Sequence, residues 1–180
     1  MPLDLTGVDL PTLEIRTARL VLRPFRPDDE DAVLAACQDP EILRWTVRLP
    51  DPYTRADAAA WVRDIAPAAR ADGTGLQCAV EADGELVGAA GLELGTAVEV
   101  GYWIAASARR RGYATEATRA LADWALAHGA EQVRLRTAIG NTGSQAVAGA
   151  AGFTRREVVR RGLTHLDGTR EDAVLFVREL

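Results

Sequence analysis

Lysine is missing altogether: the 180-residue chain carries 21 basic side chains and every one is arginine. With so much alanine beside it, this bias fits a GC-rich genome and carries no functional weight. Histidine is nearly missing as well. His128 and His165 cannot build a histidine-rich metal site, and no metal is expected. Cys37 and Cys78 form no spaced cluster, which excludes a disulfide framework and a cysteine metal site and predicts reduced, buried thiols in a cytoplasmic protein. No apolar run approaches the length of a membrane span, and the acidic, proline-containing start lacks the basic and apolar regions of a signal peptide. A net charge of −5 argues against a general nucleic-acid binder. Repeats, low-complexity tracts and linkers are absent too. What remains is an ordinary globular composition, 48% apolar and 26% charged, long enough for one well-buried core. The expected organisation is an N-terminal leader over 1–16, loose through residue 11, and one domain over 17–180.

Hydrophobic spacing predicts a strand at 20–25, a helix at 28–36 opened by Asp28, Asp29 and Glu30, and a second helical segment at 55–70. Strands at 77–81 and 85–90 flank Asp83-Gly84, a strong hairpin signal. A strand at 98–104 follows, then the best helix of the chain, 112–128, closed by Gly129. A strand at 132–137, a short helix at 144–151 and late strands at 155–161 and 173–178 complete the order. That string gives a mixed α/β sheet, with antiparallel hairpins in the first half and a crossover helix in the second.

The most informative stretch joins the strand at 98–104 to the helix at 112–128. Arg109, Arg110 and Arg111 precede Gly112, and the helix begins there. A helix N-terminus offers unpaired N–H groups and the positive end of the peptide dipoles, so this setting predicts a site for a pyrophosphate. Backbone amides from about Arg110 to Thr115, through Tyr113 and Ala114, would form the cradle, and the guanidinium groups would add charge and bidentate geometry.

The chain resembles the GNAT superfamily of acyl-CoA-dependent N-acyltransferases, most closely the RimJ/RimL-like branch, which acetylates protein N-termini and related amines. Thr17-Ala18-Arg19-Leu20-Val21-Leu22-Arg23-Pro24 looks like that branch's first strand. The family's cofactor loop, Gln/Arg-x-x-Gly-x-Gly/Ala, is matched by Arg109, Gly112 and Ala114, and Thr115-Glu116-Ala117 continues as the branch does. Asn141, Ser144, Gly152 and Phe153 match a second element, Asn-x-x-Ser followed by Gly-Phe. One position departs: the residue after the first arginine, often glycine in this branch, is Arg110. The resemblance implies a central mixed, mostly antiparallel sheet of about seven strands with flanking helices and a splayed central pair. It also implies acetyl-CoA as co-substrate.

On that reading the strand edge at Trp103 and Ile104 carries the acyl-pantetheine arm, with Ile104 and Ala106 as backbone partners. Acyl transfer to an amine needs a base, oxyanion donors and an acid for the departing thiolate. Glu99, an acid within an apolar and aromatic strand, is the candidate base, with Glu93 the second choice; sequence alone cannot align their strands. Asn141 is read as binding the pantetheine or positioning water, or as a turn residue. Ser144 is read as hydrogen-bonding the sulfur, or as the cap of its helix. The helix at 144–151 holds no tyrosine, so Ser144, a tyrosine elsewhere or water must protonate the thiolate. Trp45 and Tyr53, with Trp61, are read as an acceptor-binding wall or as core. Two functions stay open: an enzyme acetylating a primary amine, and a CoA-binding module without catalysis. For the enzyme, the acceptor can be a protein N-terminus, a polyamine, an aminoglycoside or a small metabolite. The acyl group stays unassigned, and monomer and homodimer are both compatible.

Overall fold

The computed structural model describes residues 3–180. In chain order it contains β1 (Ile15–Arg16), β2 (Val21–Arg23), α1 (Glu30–Ala36), α2 (Pro40–Trp45), α3 (Arg55–Ala60), α4 (Ala66–Ala71), β3 (Gly75–Ala82), β4 (Glu85–Leu94) and β5 (Val98–Ile104). Then come α5 (Tyr113–Ala127), β6 (Gln132–Ala138), α6 (Thr142–Ala150), β7 (Thr154–Thr164) and β8 (Arg170–Glu179). All eight strands form one sheet in the order β1-β2-β3-β4-β5-β6-β8-β7. Every neighbouring pair is antiparallel except β5 and β6, which run parallel around the α5 crossover.

The expected elements recur, with two additions. The two-residue β1 pairs with β2. The helix α2 is too short to show a period, yet Asp39 accepts from the Glu41 amide as its cap, and Pro40 occupies its first turn. The predicted helix at 55–70 is present but interrupted. Trp61–Ile65 widens into a π turn between α3 and α4. Pro67 explains it, because a residue without an N–H cannot bond the carbonyl four positions back. The Asp83-Gly84 turn has φ of 51° and 82°, the geometry a two-residue hairpin demands.

Apolar side chains bury both faces of the sheet. On one face, Leu92, Val100, Val133 and Leu135 meet Leu121 and Ala125 of α5. On the other, Ala79 and Ala89 meet Val33, Ile42 and Val62 of the helical region. The expectation of a loose leader is overturned for the part described; residues 1 and 2 lie outside the described residues. Leu10 is buried in the first core, with Leu3, Leu5, Val8 and Leu13 packed against it. Their apolar spacing follows neither helical nor strand periodicity, which hid it. The Asp4 amide donates to His128 O at 2.8 Å. Arg70, only 2% exposed, fastens the segment: it donates to the carbonyls of Leu10 and Leu13, to Gln77 O at 2.7 Å and to Cys78 Sγ at 3.2 Å. Both cysteines are free and buried.

Replacing Arg70 by Met leaves buried carbonyls without a donor. The expected cost is about 3 kcal/mol, read as a melting temperature lower by about 6–12 °C. Limited proteolysis should then cut within residues 3–14 faster than it does in the wild-type chain.

Candidate active site

The pairing of β5 with β6 stops early. Only Val98 with Val133 and Glu99 with Arg134 are in register, and beyond them the strands part. The Ala105 amide goes to Val87 O on the β4 side, so by alternation the backbone groups of Val100, Tyr102 and Ile104 face the gap. A cleft of about 1140 Å³ runs through it, between α2, the loop before α5, the start of α6 and the end of β7. Ile104 lines it, but its carbonyl already accepts from Arg109 Nε at 3.2 Å. Ala106 is exposed and sits outside the lining, at the start of a short turn whose last residue, Ala108, is buried and does line it, so the backbone role expected of Ala106 is not supported by its placement.

The loop at 109–112 is built by two left-handed residues, Arg110 at φ 61° and Gly112 at φ 82°. That conformation is why glycine suits the position Arg110 occupies. Among the described residues, no protein group accepts a hydrogen bond from the backbone amides of 110 to 115; the first bond of α5 runs from Glu116 N to Gly112 O at 3.0 Å. This run of unclaimed N–H groups at the positive end of a 15-residue helix fits a diphosphate. Gly112 serves it through backbone geometry: a side chain there would be strained and would meet the Arg19 guanidinium, with Nη2 at 3.2 Å.

The three arginines divide. Arg109 turns toward α2 and pairs with Asp39 at 2.5 Å, joining the loop to the cap of that helix. Arg110 lines the cleft. The Arg111 side chain is exposed and outside the lining, while its carbonyl accepts from Arg19 at 2.8 Å. Arg19 also lies over the Tyr113 ring, 5.0 Å from its centroid. Glu116, in the first turn of α5, locks the assembly: it accepts from Thr17 Oγ1 at 2.6 Å, from the Arg19 amide at 3.0 Å and from Arg19 Nε at 2.7 Å. Tyr113, Ala114 and Thr115 line the cleft beside it.

The residues on either face of β5 differ in chemistry. Toward α6, the Tyr102 hydroxyl donates to Ser144 Oγ at 3.0 Å. Burial pushes the Tyr102 phenol up, and the hydrogen bond to Ser144 offsets part of this, so it stays protonated at neutral pH. This places a tyrosine beside a helix that contains none. Its sequence signal was only its place in Gly101-Tyr102-Trp103, since the partner lies far along the chain. Ser144 is not the helix cap. Asn141 is, its Oδ1 accepting from the Ser144 amide at 3.0 Å, so Asn141 fixes Ser144 while lining the cleft itself.

The opposite face carries Glu99, Gly101 and Trp103. The register that sequence could not provide sets Glu93 directly across from Glu99. Each carboxylate holds an arginine. Arg48 pairs with Glu93, while Arg136 pairs with Glu99 at 2.8 Å and donates to Gly162 O at 3.0 Å. Glu99 is thus an ion-paired carboxylate instead of an isolated one in apolar surroundings. Trp45 and Trp103 line the cleft, and the Trp45 ring stands against Gly140. Tyr53 does not line it: at 5% exposure it lies in the second core, with Trp61 packed on the same cluster, so the aromatic wall expected from Tyr53 is ordinary packing. Among the described residues no cluster of three or more His, Cys, Asp or Glu is placed to hold a metal, and no helix is long and apolar enough to cross a membrane.

The profile of the acetyltransferase (GNAT) domain family matches residues 19–154. No curated protein matches the chain. Among solved structures it is similar to RimJ of Mycobacterium smegmatis in complex with CoA-disulfide, at 23% identity and TM-score 0.78 over 93% of this chain and 86% of that one. It is similar to RimL, a ribosomal L7/L12 alpha-N-protein acetyltransferase in complex with coenzyme A, at 17% identity and TM-score 0.78 over 93% and 98%. It is also similar to the microcin C7 self-immunity acetyltransferase MccE in complex with acetyl-CoA and AMP, at 15% identity and TM-score 0.79 over 91% and 94%. At these identities the likeness is one of fold. The chain belongs to the GNAT acetyltransferase family and is an acyltransferase of the acetyl-CoA-dependent class.

The Glu116 lock carries a pH signature. Partial burial raises its carboxyl, and the bonds from Thr17 and Arg19 outweigh that, leaving its pKa below the ordinary 4.5. Because folding lowers this pKa, the stabilisation is complete above the ordinary value and fades as pH falls through the lowered one. Glu116→Gln should cost about 1.5 kcal/mol at neutral pH. The difference in melting temperature between the two proteins should then shrink as the pH is taken below 4.5.

Proposed function

We propose that this protein moves an acetyl group from acetyl-CoA to a primary amine in a ternary complex, with a protein N-terminus as the acceptor. The observation that carries this reading is the row of unclaimed amides at 110–115, which opens into a cleft where Tyr102 and Ser144 already form a hydrogen-bonded pair. The activity of RimL, an alpha-N-protein acetyltransferase, supports the acceptor class.

When bound, acetyl-CoA supplies an activated thioester carbonyl. The amides of 110–115 and the Arg110 guanidinium hold its diphosphate, and the gap-facing backbone groups of Val100, Tyr102 and Ile104 take the amide-bearing arm as an added strand. Asn141 keeps the first turn of α6 in place, so the Ser144 hydroxyl stays beside the gap. The amine forms its new bond to the acyl carbon as the carbon–sulfur bond breaks. Glu99, oriented by Arg136, takes the amine's proton directly or through water, with Glu93 across the strand pair as the second carboxylate. Ser144 gives its proton to the departing sulfur and regains one from Tyr102, which water then reprotonates. A module without catalysis has no need of the Tyr102–Ser144 pair. The free, buried thiols of Cys37 and Cys78 suit a reducing cytoplasm.

Calorimetry with acetyl-CoA and release of free thiol with a panel of amines test the proposal; no binding, or binding with no thiol release, refutes it. Ser144→Ala and Tyr102→Phe should each slow turnover by about a hundredfold while donor affinity holds. If Tyr102 acts through Ser144, the double variant should be no slower than Ser144→Ala.

A further inference from the structure

Gly101 sits in the middle of a central strand, where glycine loses backbone entropy and packs nothing. Nothing in the fold requires it there. Its φ is not left-handed, it is exposed, and a Cβ built on it meets no atom within 4 Å. Its cross-strand partner Gly91 is a contrast: a Cβ there would collide with the Gln77 side chain. Gly91 is therefore a packing glycine, and Gly101 leaves open space inside the cleft.

We propose that Gly101 is the floor of the acceptor passage and determines which amines reach the thioester. The inference rests on the function proposed above. By strand alternation Gly101 shares a face with Glu99 and Trp103, opposite to Tyr102 and Ser144. An amine approaching from the α2 side crosses β5 to reach the gap, and its route passes over the Gly101 Cα between those two side chains. Glu99 and Trp103 stand about 13 Å apart along the strand, and without a side chain at the midpoint an extended chain can lie flat against the backbone. Trp45 lines the same cleft from α2. The passage suits a primary amine on an unbranched, extended chain, such as a peptide N-terminus with a small first residue. A bulky ring system does not fit that description.

Gly101→Ala and Gly101→Val test this cleanly, because open space and a strand conformation let both fold. Melting temperature should not fall, and acetyl-CoA affinity measured by calorimetry should stay at the wild-type value. With a Ser-Ala-Ala tripeptide as acceptor, kcat/KM should drop by about tenfold in Gly101→Ala and about a hundredfold in Gly101→Val, mainly through KM. Methylamine, too small to need the full width, should lose far less. The inference is overturned if Gly101→Val acetylates the tripeptide as the wild type does, if methylamine and tripeptide lose equally, or if donor affinity falls along with acceptor use. A wild-type protein that binds no acetyl-CoA, or acetylates neither amine, fails earlier and overturns the functional reading itself.

Discussion

Only two backbone pairings, Val98 with Val133 and Glu99 with Arg134, hold the β5 and β6 ladder together before the strands part. The chemistry depends on their stopping there. Had the ladder continued, the polar groups of Val100, Tyr102 and Ile104 would be spent on β6, and the sheet would close. The parting leaves a strip of unsatisfied strand edge in the middle of a folded sheet, normally a liability. Here it is enclosed by α2, the loop at 109–112 and α6, so only something that threads the cleft can pair with it.

The two walls of this gap divide the work. Behind the sheet, the helix α5 presents unclaimed amides while Arg19 and Glu116 hold its first turn to the segment before β2. In front, register brings Glu93 and Glu99 together, and Arg48 and Arg136 hold them in place. Asp39 and Arg109 tie the two sides to each other, since one residue caps α2 and the other begins the loop before α5.

Much of this was legible along the chain, wherever the signal was local. The spacing of Val98 to Ile104 gave that strand its observed ends, and Asp83-Gly84 announced its hairpin because only certain residues accept positive φ. The loop at 109–112 was legible for the same reason. What escaped was of two kinds. Short or aperiodic segments left no pattern: α2 has six residues, and the leader's leucines follow no period although they reach the core. Distant partners left none either. Tyr102 and Ser144 meet across 42 positions, and the facing of Glu93 and Glu99 is a matter of strand register. Tyr53 shows the converse error, an aromatic whose sequence neighbourhood hinted at a site and whose packing put it in the core.

The ion pairs at Glu93 and Glu99 are made with guanidinium groups. An ammonium side chain in either place would give up its proton far more readily and stand in the cleft as a nucleophile in its own right. Arginine stays charged throughout the accessible pH range and has no free lone pair with which to attack. Arg48 and Arg136 can therefore flank the proposed site of acyl transfer without being consumed by it.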